Sequence, residues 1–391
     1  MEYDKTFFDR RFERRGTDSV KWDNPEIMAE GGVPLWVADM DFECAPPIRE
    51  ALQERAAHPF YGYTMVTQSD YDAVTGFWQR RHGITLNRQE IVLMPSVVSG
   101  LRACVTALTR KDDKVLLMTP VYAPFYFAVR DAGRTVVEAP LLTDDAGRYF
   151  VDFERVETCL RDGAAMVMVC SPHNPVSRPW GAEELRAISA LCSRYHARLL
   201  VDEIHCDFVY APESFTGILG LPGIDEGVIS LTAASKTFNI AGLKQSYLFC
   251  RDKKTVSELN AYFTAAGAES GNIFALTASR AAFTACDEWL DGLMEYLSES
   301  RDLVYRGMKN LLPEARVTPI EATYLAWVDV RAYGKSNDAL MKCCYQHGVA
   351  LNNGALFGEE AGEGFMRLNF GCPRTQLLEG MERFAAAVKH Q

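Results

Sequence analysis

Short apolar runs alternate with stretches of helical spacing through the first two thirds of the chain. The runs predict strands at Ile91 to Met94, Lys114 to Met118, Thr135 to Glu138, Ala165 to Cys170, Arg198 to Val201 and Val228 to Leu231. The stretches before and between them predict helices at Ile48 to Ala57, Tyr71 to His82, residue 95 to about Thr109, Tyr122 to Ala132, Val151 to Leu160 and Glu183 to His196. This β-α-β order predicts an α/β fold with a mainly parallel central sheet that helices cover on both faces.

The last third of the chain has a different pattern. The chain becomes helical from Ile273, and apolar residues from Trp289 to Met308 recur at three- and four-residue steps, so a long helix is predicted to lead out of the sheet domain. Strands and helices are then predicted in alternation at Thr323 to Val330, Ser336 to His347, Gly364 to Phe370 and Thr375 to His390. We therefore expect a large α/β domain over residues 48–288 and a smaller α+β domain built from residues 1–47 and 289–391.

Composition narrows the class of protein. The chain has 391 residues, of which 48% are hydrophobic and 24% charged, as is typical of a globular protein large enough for two domains. The net charge of −11 disfavours nucleic acid and anionic membranes as partners, because both need a concentrated basic surface. No apolar stretch reaches the length of a membrane span, and the charged N-terminus lacks the apolar region of a signal peptide.

Cysteine and histidine usage predicts the redox environment and the metal content. The 11 cysteines are scattered without a C-x-x-C pair, so we expect reduced thiols and a cytoplasmic protein. The 7 histidines are also dispersed and form no metal-binding motif. His173 and His205 have no third ligand at metal spacing, and we expect no metal.

Three of the apolar runs end in polar residues that suit one kind of chemistry, namely Asn174, Asp202 and Lys236. Parallel strands end at the same edge of a sheet, where open α/β folds bind ligands, so this amide, carboxylate and amine are expected to converge. Taken singly, Asn174 could lie in a solvated loop, Asp202 could cap a helix and Lys236 could be an ordinary surface lysine. Together they suit pyridoxal phosphate, which uses an amine at its aldehyde, a carboxylate at its ring nitrogen and a donor at its ring oxygen.

Five stretches carry a resemblance to a known family. They are Trp36 to Phe42, Cys170 to Pro175, Asp202 to His205, Ser235 to Asn239 with Ala241 to Leu243, and Thr323 to Trp327. These stretches resemble the MalY/PatB family of cystathionine β-lyases, also called cysteine–sulfur lyases, within the fold-type I pyridoxal-phosphate enzymes of the aspartate aminotransferase superfamily. The likeness extends over nearly the whole chain. The resemblance implies the fold of the fold-type I enzymes, and it implies pyridoxal 5'-phosphate as the cofactor.

The resemblance also implies roles for the residues around the cofactor ring. Lys236 would form the Schiff base and later act as the base at the substrate Cα, and Asp202 would pair with the ring nitrogen. Asn174 and His205 would contact the ring oxygen. Tyr122 would stack on the ring face, although an isolated tyrosine of this kind is more often a core aromatic.

The expected phosphate site follows from backbone geometry. Val97, Val98 and Ser99 lie where a strand turns into a helix, so their N–H groups and the helix dipole can face an anion. Ser235 can add a hydroxyl. Lys244 occupies the place where many members of the superfamily carry a phosphate-binding arginine, with a solvated lysine as the alternative.

Five further assignments concern the substrate and a second subunit. Arg367 resembles the arginine that binds the substrate α-carboxylate through two parallel hydrogen bonds, with a structural salt bridge as the alternative. The resemblance places Val37, Ala38 and Tyr324 at the substrate as well. Tyr63 resembles the tyrosine that reaches the cofactor phosphate of the neighbouring subunit, which implies a homodimer with a shared active site; alternatively, residues 60–63 form a packed aromatic cluster.

The expected activity is cleavage of the Cβ–S bond of cystathionine, cysteine or related S-conjugates, which gives pyruvate, ammonia and a thiol. A pyridoxal-phosphate-dependent aminotransferase of class I/II is the alternative, since it would share every cofactor contact. A regulatory or protein-interaction protein on the same fold is less favoured, because all the catalytic residue types are present. Ser96, Ser177 and Ala322 depart from the family pattern at positions where glycine is usual.

Overall fold

The computed structural model describes residues 3–25, 31–268 and 271–390. Its main element is a seven-stranded sheet with the spatial order Ile91–Met94, Ser246–Phe249, Ile229–Thr232, Arg198–Asp202, Ala164–Cys170, Lys114–Thr119 and Thr135–Pro140. The last five of these strands are parallel, and Ser246–Phe249 runs antiparallel to both of its neighbours. The predicted α/β fold with a mainly parallel sheet is confirmed.

The hydrophobic pattern missed Ser246–Phe249 and the helix that follows it, Lys253–Ala265. The strand is four residues long and buried throughout, but its serine and tyrosine interrupt the apolar run. The helix begins with two lysines, so its apolar face is not visible until its second turn. Both elements are therefore recognisable only from the sheet and core that they complete.

The two faces of the large sheet are buried in separate hydrophobic cores. Along strand Ala164–Cys170, Val167 and Val169 pack in one core, while Met166 and Met168 pack in the other, as expected for side chains that alternate across a strand. The helices that follow the strands have the bounds Val97–Leu108, Pro124–Asp131, Phe153–Arg161, Ala182–Arg194 and Lys253–Ala265. Burial on both faces explains why the parallel strands are almost wholly apolar.

A second sheet has four strands in the order Arg316–Val317, Leu325–Asp329, Phe365–Asn369 and Asn352–Asn353, all antiparallel. The helices around it are Asp287–Leu311, Asn337–Gln346 and Arg374–Lys389. The predicted strand at Thr323 begins later, at Leu325, because Thr323 adopts a left-handed φ of 61°. The division into two domains at residues 48 and 288 stays a prediction.

The N-terminal segment is tied to this second sheet region. Its strand Val33–Pro34 pairs in parallel with Val349–Ala350. Further described elements are the helices Lys5–Phe8, Pro46–Ala57, Gln68–His82, Ala234–Thr237 and Ile273–Ala285 and the hairpin of Leu142–Thr143 with Tyr149–Phe150. None of the described helices combines the length and the apolar character needed to cross a membrane.

Candidate active site

The structure brings Asn174, Asp202 and Lys236 to the wall of a single cavity. Each follows or ends a strand of the parallel part of the large sheet, and the neighbouring strands pair in register, with Cys170 opposite Asp202 and Asp202 opposite Leu231. The polar residues are therefore at one sheet edge because the strands that carry them are parallel neighbours. Further predicted site residues line the same cavity: Ala38, Val97, Val98, Tyr122, His205, Ser235 and Lys244.

Lys236 lies on the helical turn Ala234–Thr237, directly after strand Ile229–Thr232. Its Nζ donates a hydrogen bond to the carbonyl oxygen of Ala38 at 2.6 Å. Burial lowers the pKa of Lys236 to about 8, although the negative charge of Asp39 partly opposes this shift. A buried amine with a lowered pKa is a better nucleophile and base near neutral pH than an ordinary lysine.

Asp202 is 2% exposed and accepts a hydrogen bond from the backbone N–H of Ile204 at 3.1 Å. Burial raises the pKa of this carboxyl to about 7, because the single backbone hydrogen bond and the charge of Lys236 offset the loss of solvation only in part. A cationic ring nitrogen beside Asp202 would favour the carboxylate. The position therefore fits a group that carries a protonated nitrogen.

Arg367 lies on strand Phe365–Asn369 of the second sheet and is 3% exposed. Its Nη1 donates to Oδ1 of Asn174 at 3.1 Å, and its Nη2 donates to the carbonyl oxygen of Trp36 at 2.8 Å and to the side-chain oxygen of Asn352. Its Nε is buried without a hydrogen-bond partner, and no ion pair of the described residues involves this guanidinium. A structural salt bridge within the described chain is thus wrong as the alternative, and the unneutralised arginine fits an anionic ligand.

Asn174, His205 and Tyr122 complete the predicted ring site. Because the side-chain oxygen of Asn174 accepts from Arg367, the NH₂ group of its amide is the part left for a ligand. Burial lowers the pKa of His205 to about 3, and its Nδ1 has no hydrogen-bond partner. Burial also raises the pKa of Tyr122. These neutral polar groups, of which the imidazole lacks a partner, fit an oxygen-bearing aromatic ligand.

The N-terminus of helix Val97–Leu108 also lines the cavity. The prediction that Ser99 offers its backbone N–H to an anion is wrong for this structure, because that N–H donates to Oγ of Ser96 at 3.1 Å in a reciprocal cap. The first-turn amides of Val97 and Val98 have no acceptor within the helix. With Ser235 and Lys244 on the same wall, these groups suit a phosphate.

Besides Ser99, four predicted site residues do not line the cavity. Tyr324 and Arg367 lie just behind the wall, since the Tyr324 hydroxyl donates to the carbonyl oxygen of Ala38 at 2.9 Å and Arg367 contacts Asn174. Val37 contributes its carbonyl oxygen to Nδ2 of Asn369 at 2.6 Å. Tyr63 is fully exposed and lies elsewhere. Its predicted contact with a second subunit stays a prediction.

Sequence reasoning missed a residue that holds the site together. The side chain of Asn239 donates to the carbonyl oxygens of Met40 and Phe42 at 3.0 and 2.8 Å, and it accepts from the N–H of Met40 at 3.0 Å. It thereby fixes the segment that carries Ala38 against the turn that carries Lys236. In the sequence, Asn239 was noted only as the last residue of the stretch Ser235 to Asn239. The resemblance assigned no role to it.

Comparisons with known proteins agree along the whole chain. Residues 31–384 match the family model described as aminotransferase class I and II. The chain is 39% identical to cystathionine β-lyase PatB of Bacillus subtilis over 97% of this chain and 99% of that protein, and 32% identical to protein MalY of Escherichia coli over 98% of each. It superposes on the pyridoxal-phosphate-bound C–S lyase of Staphylococcus hominis with a TM-score of 0.91 and 29% identity, over 98% of both chains.

Proposed function

The chain belongs to the class I and II aminotransferase family, and from that premise we propose that it is a pyridoxal-phosphate-dependent carbon–sulfur β-lyase. Its substrates are cystathionine, cysteine S-conjugates or related sulfur amino acids, and its products are pyruvate, ammonia and a thiol. The observation that carries the choice of a lyase is the full-length identity of 39% to a cystathionine β-lyase. The choice of cofactor also rests on the cavity, which joins an amine, a carboxylate and a phosphate-suited helix end.

The residues present fit the cofactor at each of its polar groups. Lys236 would bind the aldehyde carbon, Asp202 the ring nitrogen and the amide of Asn174 the ring oxygen, and all three line the cavity. The helix N-terminus at Val97 and the ammonium of Lys244 supply positive potential for the phosphate. When bound, the cofactor supplies an electron sink that stabilises negative charge at the substrate Cα.

Three side chains of this chain have separate roles in the reaction. Arg367 binds the substrate α-carboxylate and so orients the Cα–H bond toward Lys236. The neutral amine of Lys236 removes the Cα proton, and burial favours this neutral form. Asp202 stays ionised beside the ring nitrogen and keeps that nitrogen protonated.

Elimination of the sulfur group from Cβ then completes the reaction. The electrons of the broken Cα–H bond form the Cα–Cβ double bond, and the Cβ–S bond breaks with its electron pair on sulfur. A thiolate is a fair leaving group, since thiols ionise near neutral pH. The proton that Lys236 removed passes to the leaving thiolate, which gives the thiol and restores the neutral amine. The released 2-aminoacrylate takes up water to give pyruvate and ammonia.

Steady-state assay of the purified holoenzyme with cystathionine, in the absence of any keto acid, tests the lyase. We expect continuous release of pyruvate together with a free thiol, and no turnover in Lys236→Ala. The matched control is Lys254→Ala, whose side chain is 80% exposed and which is expected to keep full activity. A single stoichiometric half-turnover that yields a keto acid, with no thiol, would instead identify an aminotransferase.

We further propose that the enzyme is a cytoplasmic homodimer in which Tyr63 reaches the cofactor phosphate of the partner subunit. Its complete exposure in one chain, beside the exposed Phe60, Tyr61 and Met65, supports the proposal. Large apolar groups clustered on a surface suit a protein–protein interface. The scattered cysteines, all of which are free, support the reducing location.

A further inference from the structure

Three potential metal ligands meet behind the active site, in a place that the proposed reaction does not use. They are His82, at the end of helix Gln68–His82, and Cys206 and Asp207, in the turn after strand Arg198–Asp202. One ligand atom from each lies within 4.8 Å of the others. None of the three lines the active-site cavity, and no second group of this kind occurs in the described ranges of the chain.

Hydrogen bonds account for only part of this cluster, since Thr237 and Cys206 both donate to Oδ2 of Asp207. Nε2 of His82 lies 3.1 Å from Oδ1 of Asp207, and these side chains are only 7% and 4% exposed. Yet both atoms lack a hydrogen-bond partner of good geometry. A buried imidazole and a buried carboxylate therefore face each other at close range without the hydrogen bond that would normally join them.

The separation of the imidazole nitrogen and the carboxylate oxygen suits two ligands of one metal ion. Zinc held at its usual bond lengths in a tetrahedron separates a nitrogen and an oxygen ligand by about 3.3 Å and a sulfur and an oxygen ligand by about 3.5 Å. Nε2 of His82 and Oδ1 of Asp207 lie 3.1 Å apart, close to the nitrogen–oxygen value, and Sγ of Cys206 lies 3.7 Å from the second carboxylate oxygen, Oδ2. Imidazole, thiolate and carboxylate are also the three ligand types that zinc accepts.

We propose that His82, Cys206 and Asp207 bind a zinc ion. The Cys206 thiol loses its proton to solvent on binding, His82 binds through Nε2 of its neutral ring, and the fourth position is left to water or to a neighbouring hydroxyl. One such hydroxyl is that of Thr237, which donates to Oδ2 of Asp207 at 2.6 Å.

The position gives the ion a structural role. Cys206 follows His205, and Thr237 follows Lys236, so the ion would brace both of the turns that carry these cavity residues. It would also anchor them to the end of helix Gln68–His82. None of its ligands lines the cavity, so the ion would take no direct part in the lyase reaction.

Elemental analysis of the holoenzyme, purified without chelators from cells grown with zinc chloride, tests the proposal. We expect about one zinc per chain, and less than about a tenth of that in Cys206→Ser and in His82→Ala. The matched control is Cys192→Ser, which alters another buried thiol on helix Ala182–Arg194 and is expected to retain the full zinc content.

Growth with cobalt chloride gives a second readout that does not depend on a variant folding. A cobalt ion bound to Cys206 produces a thiolate-to-metal charge-transfer band in the near ultraviolet, and this band is expected in the unmutated protein. The proposal is overturned by protein that is free of zinc and lacks the cobalt band, or by a zinc content that is unchanged in Cys206→Ser and His82→Ala. Neither result would bear on turnover of cystathionine, which is assayed separately.

Discussion

Arg367 donates a hydrogen bond to the side-chain oxygen of Asn174 over 3.1 Å, and this bond joins the two sheets at the active site. Asn174 belongs to the loop after a strand of the seven-stranded sheet, and Arg367 lies within a strand of the four-stranded one. The guanidinium is buried, and burial lowers its pKa to about 10. A buried cation with no carboxylate beside it is costly unless a ligand supplies the negative charge.

Arg367→Lys tests whether this cation binds the substrate carboxylate. A lysine keeps the charge but loses the planar pair of donors, so we expect kcat/KM for cystathionine to fall about 100-fold, mainly through KM. The absorbance of the bound cofactor should stay unchanged, because Arg367 is not assigned to the cofactor. Steady-state kinetics and a visible spectrum measure both effects.

Arg194→Lys is the matched control, since Arg194 forms a surface ion pair with Glu157 and is 64% exposed. It is expected to leave kcat/KM unchanged. A loss of less than threefold in Arg367→Lys, or a loss of cofactor in that variant, would contradict the assigned role.

The lowered pKa of Lys236 predicts the pH dependence of cofactor attachment. The neutral amine is the nucleophile, so the attachment rate rises with pH and levels off above the lysine pKa of about 8. At pH 7 about one tenth of such amines are neutral, against about one in three thousand for a lysine that titrates near 10.5. The growth of cofactor absorbance in the apoenzyme, followed from pH 6 to pH 10, gives the rate.

The same reaction with Nα-acetyl-lysine provides the control, because its ε-amine titrates as an ordinary lysine while the cofactor is the same. If the rate for the protein keeps rising through pH 10 in parallel with this model amine, burial does not lower the pKa of Lys236.

Glu203 gives a prediction about stability. This carboxyl is 1% exposed; it accepts a hydrogen bond from the N–H of Ile218 at 2.8 Å and another from the hydroxyl of Ser230. Burial raises its pKa to about 7. The folded state therefore binds the proton more tightly than the unfolded state does, and the stabilisation by that proton is lost as pH rises from about 4.5 to about 7.

Glu203→Gln keeps the shape and removes this titration. The free energy of unfolding of the natural protein should fall between pH 5 and pH 8 by on the order of 1–3 kcal/mol more than that of the variant. Denaturant unfolding of the holoenzyme at the two pH values measures the difference, with the exposed Glu359→Gln as control. Equal pH dependence in the natural protein and Glu203→Gln would contradict a raised pKa at this position.

The sequence predicted those parts of the fold that follow from local pattern. Strand Ile91–Met94 has its predicted bounds, and Asp202 and Lys236 lie at one edge of the sheet because parallel strands require it. Ser246–Phe249 was missed since a short antiparallel strand gains its burial from two neighbours that are distant in sequence. The first-turn cap of Ser99 by Ser96 was missed because both hydroxyls could equally have faced a ligand.

Contacts between distant segments could not be predicted from the sequence for the same reason. Asn239 contacts Met40, and His82 meets Cys206 and Asp207, but no spacing rule connects positions so far apart. The cluster of His82 therefore escaped a search for metal motifs, which depends on ligands that are close in sequence. Such relationships depend on the packing of whole elements.

Tyr63 gives the last prediction, which concerns the second subunit. Loss of its hydroxyl in Tyr63→Phe is expected to weaken cofactor binding and to lower activity at least about tenfold, because a charge-assisted hydrogen bond to phosphate is lost. Tyr61→Phe is the matched control, since the Tyr61 hydroxyl donates to the carbonyl oxygen of Ala56 in its own chain at 2.5 Å. Lys236→Ala is expected to be inactive for a separate reason, namely the loss of the base.

If the active site is shared between subunits, a hybrid dimer of these two variants contains one site with both natural residues. Random assembly makes half of the dimers hybrid, so co-expression of Tyr63→Phe with Lys236→Ala is expected to restore about a quarter of the natural activity. Light scattering establishes the dimer, and differently tagged chains allow the hybrid to be isolated and assayed. Activity of the purified hybrid that is no higher than the average of its two parents would show that Tyr63 serves its own subunit or none, because only a contact across the interface can rescue one variant with the other.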